Sequence, residues 1–187
     1  MSRQVVGIDL GTSNTAIARF VPRGNALEMV PITQRISPTE VGERFLLPSF
    51  LYLPGEYELP AESTSLPWDA ERKYLVGEFA RFQGARVPGR CVVSAKSWLA
   101  HRKVDPTEPV LPWDRASDLK PVSAVAAITR YLAGTHSTPV LPQGGELDVR
   151  VFTEMVSQTA TVIGAMGTAV FPDAGLDPDI TEIVQQD

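Results

Sequence analysis

Apolar and polar positions alternate from the first residues of the chain, and the alternation sets the opening elements. VVGIDL (5–10) has the period of a strand, GTSN (11–14) is a run of small polar residues that turns the chain, and TAIARF (15–20) returns as a second strand. Gly24-Asn25 marks another turn before a third strand over Leu27–Ile32, which gives a meander. FLLPSFLYLP (45–54) is strongly apolar, and Pro48 inside it suits a sheet edge or a strand entry. YLVGEFARFQGA (74–85) predicts a short strand and then a helix start, and RCVVSAKSWLAHRK (90–103) has helical periodicity. Pro121 suits a first helical turn and Gly134 a helix end, while Val125, Ile128 and Leu132 share one face, so 121–133 predicts a helix.

The segments between are polar. Residues 54–73 and 104–120 read as proline-rich surface loops, and both carry the tetrapeptide LPWD (66–69 and 111–114), too short to establish a repeat. The carboxylates of ERFLLP and GEYELP read as solvated, and Trp68, Trp98 and Trp113 as packing anchors. THSTPVLPQGGE (135–146) reads as a linker, and LDVRVFTEM as a strand. SQTATVIGAMGTAVF fits a helix of small residues or two strands, and the tail after it is acidic.

Composition narrows the classes of function. Of 187 residues, 43% are hydrophobic and 21% charged, enough for an ordinary core. The net charge of −5, with no Lys/Arg stripe to follow phosphates, argues against nucleic acid as a partner. No apolar run is long enough to span a bilayer, and MSRQVV leads straight into a strand without a signal peptide. Cys91 is the single cysteine, which excludes an internal disulfide and suits a reducing, cytoplasmic setting. His101 and His136 lack metal-ligand spacing to each other or to Cys91.

The candidate chemistry sits at the first turn. A tight turn between strands exposes several backbone N–H groups on one side. Gly11 permits close approach, Thr12 and Ser13 add hydroxyl donors, and Asn14 tolerates left-handed dihedrals. Asp9 would repel an anion unless a cation lies between them, which is how Mg²⁺ is held by a carboxylate, waters and substrate phosphates. The stretch therefore reads as a cradle for a magnesium–nucleotide phosphate. Turn chemistry alone also accommodates a polar hairpin with a capping aspartate.

GIDLGTSNT (7–15) resembles the first phosphate-binding motif of the actin-like ATPases, in the form found in the 70-kilodalton heat-shock chaperones. Ser13 replaces the family's second threonine and Thr15 its serine, both keeping a hydroxyl, and no GxxxxGK[ST] loop competes. A second stretch, YLVGEFARFQGARVPGRCVVSAKSWLAHRKVD (74–105), resembles the chaperone segment that ends in an alanine–lysine helix. Lys96 falls on that lysine; Ser97, Trp98, Leu99 and Ala100 depart from the family's continuation and mark a divergent member. At about 100° per residue Lys96 lies within the arc of Val92, Val93, Leu99 and Ala100, whereas Ser94, Ser97 and His101 point elsewhere. A lysine there either snorkels outward or meets a negative charge.

The resemblance implies an α/β, RNase H-like lobe over residues 1–134, a mixed sheet with flanking helices and an inserted α+β subdomain at about 35–118, followed by a linker and C-terminal segment at 135–187. It implies ATP and Mg²⁺ as ligands, with ATP hydrolysed to ADP and phosphate. Asp9 would hold Mg²⁺ through water, and Gly11, Thr12, Ser13 and Asn14 the phosphates. Lys96 would stabilise charge on the γ-phosphate. Protein clients and co-chaperones would be the partners of a complete protein, with neither nucleic acid nor membrane.

The family's second glycine-rich phosphate loop has no counterpart, since Gly144-Gly145 lacks the flanking pattern. The resemblance thus implies a truncated or internally deleted lobe. ATVIGAMGTAVF (160–171) reads as a closely packed helix, with a faint likeness to the helix that closes the second lobe. The alternative function is a catalytically incomplete interaction module derived from the same fold.

Overall fold

The computed structural model describes residues 4–21, 25–60, 62–135 and, for the backbone, 147–152. The linker at 136–146, the segment 160–171 and the acidic tail lie outside the described residues. What is described is a mixed α/β structure, rich in strands.

The predicted hairpin forms. Strand β1 (Gln4–Leu10) pairs antiparallel with β2 (Asn14–Val21), Leu10 opposite Thr15 and Asp9 opposite Ala16. Val6, Ile8 and Leu10 are buried, as are Thr15 and Ile17, while Asp9 is exposed. Each buried aliphatic side chain contributes about 1.5–3 kcal/mol. A slip of one residue would turn Val6, Ile8 and Leu10 to the solvent face and bring Gly7 and Asp9 inward, so the register is fixed by burial.

The far edge of β2 is shared. Its second half pairs with β3 (Ala26–Val30) and its first half with β6 (Leu46–Pro48), Asn14 lying opposite Pro48. On the other side β1 takes a parallel partner, β10 (Leu147–Phe152), which makes the sheet mixed in the order β10-β1-β2-β3 with β6 off that path.

Two smaller sheets lie within 32–93. Strands β4 (Ile32–Arg35) and β5 (Val41–Arg44) form a hairpin. Strand β7 (Phe50–Tyr52) stands between β8 (Leu75–Val76) and β9 (Cys91–Val93), all antiparallel. Helix α1 (Glu78–Arg86) follows β8, α2 (Ala95–Leu99) follows β9, and α3 (Ala124–Ala133) packs its Ala127, Ile128, Tyr131 and Leu132 face into the core. One apolar cluster runs from Ile8 and Leu10 through Leu47 and Leu51 to Leu99 and Ile128, joining the mixed sheet to α2 and α3.

Four sequence expectations change. The third strand is interrupted at Pro31, which lacks an N–H for a ladder, so Ile32 opens β4 rather than closing β3. FLLPSFLYLP is two strands, β6 and β7, broken at Ser49 and contributing to different sheets. Residues 90–103 are a strand followed by a short helix. Val92 and Val93 favour the extended form, and Ser94 turns the chain with a left-handed φ of 54°. Helix α3 starts after Pro121, at a cap where Ser123 Oγ accepts from the Ala126 N–H at 3.0 Å.

Glu58 in GEYELP is exposed, as read, but it has partners. It accepts from Tyr52 Oη and, at 2.8 Å, from the Gly55 N–H, and it pairs with Arg90 at 3.3 Å. Arg90 also holds the exposed Asp118, whose pKa it lowers.

The α1–β9 contact has no spare room. A Cβ on Gly84 would meet Cys91 Sγ at 2.4 Å. Gly84→Ala is therefore expected to cost about 1–3 kcal/mol, the usual penalty for overpacking, measured by urea unfolding. An unchanged midpoint would mean that this contact is loose.

Burial pushes the Cys91 thiol up to about 12 from an ordinary value near 9. Its proton is then kept by the folded chain at pH values where the unfolded chain has released it. Stability must fall as pH rises from about 9 toward 12. Buried Tyr131, also raised, adds to the same trend. Urea midpoints that are level near neutrality and drop above about pH 9, less steeply in Cys91→Ala, are the expected outcome; a flat profile would contradict it.

Candidate functional site

The turn at 11–14 is closed by the Gly11 N–H donating to Asn14 O at 3.0 Å. Only glycine fits its first position: a Cβ on Gly11 would lie 2.3 Å from Asn14 O, and that oxygen belongs to the backbone and cannot move aside. Thr12 and Ser13 are exposed at the tip, and Asn14 is half-buried as the first residue of β2. Asp9 projects from β1 on the face opposite Ile8 and Leu10.

A residue that sequence reasoning passed over holds this turn. Ser49, 2% exposed, donates its backbone N–H to Ser13 O at 2.9 Å and its Oγ to Gly11 O at 2.9 Å. Two carbonyls of the turn are thereby tied back toward the protein. The only sequence signal was one hydroxyl inside FLLPSFLYLP. Thr15 was likewise not singled out for a role. It is fully buried, and its Oγ1 has no hydrogen-bond partner among the described residues.

Ser49 also lies between the turn and the element that carries Lys96. Pro48 faces Asn14 across β6–β2, and Phe50 faces Val93 across β7–β9. Two cross-strand steps and two residues of extended chain thus separate Asn14 from Val93, at most about 18 Å. Lys96 follows three residues after Val93, in α2.

The Lys96 side chain is 6% exposed. Among the described residues it makes no hydrogen bond and no ion pair. Its neighbours in the expected arc divide: Val92 and Leu99 are buried, whereas Val93 and Ala100 are exposed, because the first two of the four sit on a strand. Asp9 and Lys96 are not joined by any direct bond among the described residues. A cavity of about 10 Å³, lined by Gln34, Arg35, Thr64 and Arg72 among others, lies away from both.

Among the described residues no group of three His, Cys, Asp or Glu side chains could hold a metal ion. Mg²⁺ bound through a single carboxylate, waters and phosphates does not require such a group. Nor is any described helix long and apolar enough to cross a membrane. Trp98 is half-buried against the core and stacks on Trp113 at 5.4 Å and on His101 at 4.9 Å. Trp113 itself is 66% exposed, so it is a surface ring rather than the packing anchor expected.

A scan against protein-family models and a search of curated proteins both found no match to this chain.

Two substitutions test the turn. Ser49→Ala should cost about 1–2 kcal/mol, since it removes one bond and leaves Gly11 O without its donor. Thr15→Val should be neutral or stabilising in the absence of ligand, because it removes a buried hydroxyl that has no partner. Both are read from denaturant unfolding. A loss above about 1 kcal/mol for Thr15→Val would show that the hydroxyl is satisfied internally.

Proposed function

We propose that the chain is an ATP-binding lobe of the 70-kilodalton heat-shock chaperone type, in the RNase H-like fold of the actin-like ATPases, with the first hairpin turn as its phosphate cradle. The observation that carries this reading is Lys96. Its stem packs against the core, and among the described residues its ammonium has neither a hydrogen bond nor a counter-charge, which leaves it available to an anion. Such a lysine, on a short helix linked through Ser49 to a turn that admits only glycine, is well suited to an anionic ligand.

The roles follow from the residue types. The exposed turn of Gly11, Thr12, Ser13 and Asn14 offers hydroxyl and backbone donors to phosphate oxygens. Thr15 Oγ1 is a buried polar atom without a partner among the described residues. Lys96 would stabilise negative charge on the terminal phosphate and help orient the attacking water, so that positioning and electrostatics carry the catalysis. Asp9 would hold Mg²⁺ through water, and the ion would neutralise phosphate charge beside that carboxylate. The mixed sheet, with one parallel strand on an antiparallel meander, agrees with the proposed fold. A cytoplasmic location belongs to the same reading, as does client binding in a complete protein; the buried free thiol of Cys91 suits a reducing setting.

A second reading, the interaction module, is favoured by the outer face of the mixed sheet. Leu27, Met29 and Leu46 are exposed there, opposite Phe20, Ala18 and Ala16. They form a contiguous apolar strip on the face that displays Asp9, of the kind that invites a partner.

Thermal unfolding with Mg-ATP separates the two readings. The ATP-binding reading expects a melting temperature that rises with nucleotide concentration. It further expects Lys96→Met to melt at or above the parent temperature without ligand, and to lose the nucleotide response. In a complete protein Lys96→Ala should lower kcat by about 10²–10³. No rise at millimolar Mg-ATP would favour the interaction module.

A further inference from the structure

Away from the first turn, three arginines meet with no carboxylate between them. Arg35 ends β4, Arg72 lies in the loop before β8, and Arg130 is in the last turn of α3. The Arg72 guanidinium stands over the Tyr74 ring at 4.3 Å from its centroid, and the Arg130 guanidinium at 5.1 Å. Arg35 and Arg72 both line the cavity of about 10 Å³, together with Thr33, Gln34 and Thr64.

The hydrogen bonds of this cluster are incomplete. Among the described residues, Arg35 donates through its Nη atoms to the carbonyls of Pro38, Glu62 and Ser65 and to Ser65 Oγ, yet its buried Nε has no partner. Arg72 is 6% exposed and donates among them only from Nε, to Tyr74 O at 3.1 Å. Arg130 Nη1 is buried with no described partner. None of the three forms an ion pair with a described carboxylate. Desolvation lowers the pKa of all three; Asp69 acts on Arg72 only at a distance, and the other two arginines oppose it.

Protein features offset part of this charge. The carbonyls at the C-terminus of α3, where Gly134 borders the cavity, act as roughly half a negative charge. The Tyr74 ring adds a cation–π attraction for two of the three. Together these leave most of three guanidinium charges uncompensated in a half-buried place. Guanidinium forks match the geometry of oxyanions, and their open N–H groups are the donors such an anion would need.

We propose that the Arg35–Arg72–Arg130 cluster is an oxyanion site, separate from the hairpin turn, which takes a carboxylate or phosphate group with one oxygen in the cavity. The small volume limits what enters: it admits about one water-sized atom, so the rest of the anion stays at the mouth. The wall is rigid. Gln34 is fixed by donating to Leu46 O at 2.9 Å and accepting from the Glu78 N–H at 2.8 Å, and it packs where a Cβ on Gly77 would stand.

The test follows the arginine side-chain Nε–H resonances of the full chain by NMR. Inorganic phosphate and acetate are titrated separately, each against chloride at matched ionic strength. Saturable displacement of the Arg35, Arg72 and Arg130 signals by phosphate or acetate, and not by chloride, is the expected result; the anion that acts identifies the chemical source. The anion that acts should also raise the melting temperature by about 3–6 °C at ten times its Kd. That rise should persist in Lys96→Met and vanish in Arg72→Gln. Absence of saturable displacement with both anions overturns the site, and this arm needs no variant. A rise that is lost in Lys96→Met and kept in Arg72→Gln also overturns it, by assigning phosphate to the hairpin turn.

Discussion

Ser49 is the constraint on which the arrangement of the site depends. It stands where an apolar run divides into two strands serving two different sheets, and both of its polar groups are spent on the first hairpin turn. The turn alone would be a short exposed loop, free to take several conformations. Tied through Gly11 O and Ser13 O, it has a fixed relation to β7 and, through the β7–β9 ladder, to the helix that carries Lys96. The glycine at position 11 and the serine at 49 are two halves of one device: the first removes the atom that would block the turn, and the second holds the turn once it has formed.

The second theme is positive charge that no described carboxylate pairs. Lys96 and the Arg35–Arg72–Arg130 group lie in different parts of the molecule, buried or half-buried, and none of them forms an ion pair among the described residues. Three other described arginines do have carboxylate partners: Arg19 with Glu28, Arg44 with Glu78, and Arg90 with Glu58 and Asp118. Exposed pairs of this kind contribute little to stability. Both unpaired groups invite an anion from outside the described chain, a triphosphate at the first and a single oxyanion at the second.

The sequence was most legible where local pattern and burial agree. The β1–β2 hairpin could be read because Val6, Ile8 and Leu10 alternate with Gly7 and Asp9 in the period that the pleat demands. Helix α3 could be read from its apolar face, although its start was misjudged by the attraction of Pro121 over Ser123. The region 90–103 misled because Val92 and Val93 complete a helical arc on paper, while β-branching and a strand partner at Leu51 and Phe50 make them extended. Lys96 lies on the helix with Leu99, whose burial covers the lysine's stem. The Ser49 bonds and the β1–β10 pairing could not be read at all, because each joins residues far apart in the chain with no periodic signal. The arginine cluster was invisible for the same reason: its members come from a strand, a loop and a helix.

The most direct test is a backbone ¹H–¹⁵N NMR titration of the full chain with Mg-ATP. The account predicts that the amides of Gly11, Thr12, Ser13 and Asn14 move together with those of Ser49 and Lys96, along one saturation curve, since the turn and the short helix would close on one ligand. Perturbations confined to other regions, or a Lys96 amide that stays still while the turn responds, would contradict it.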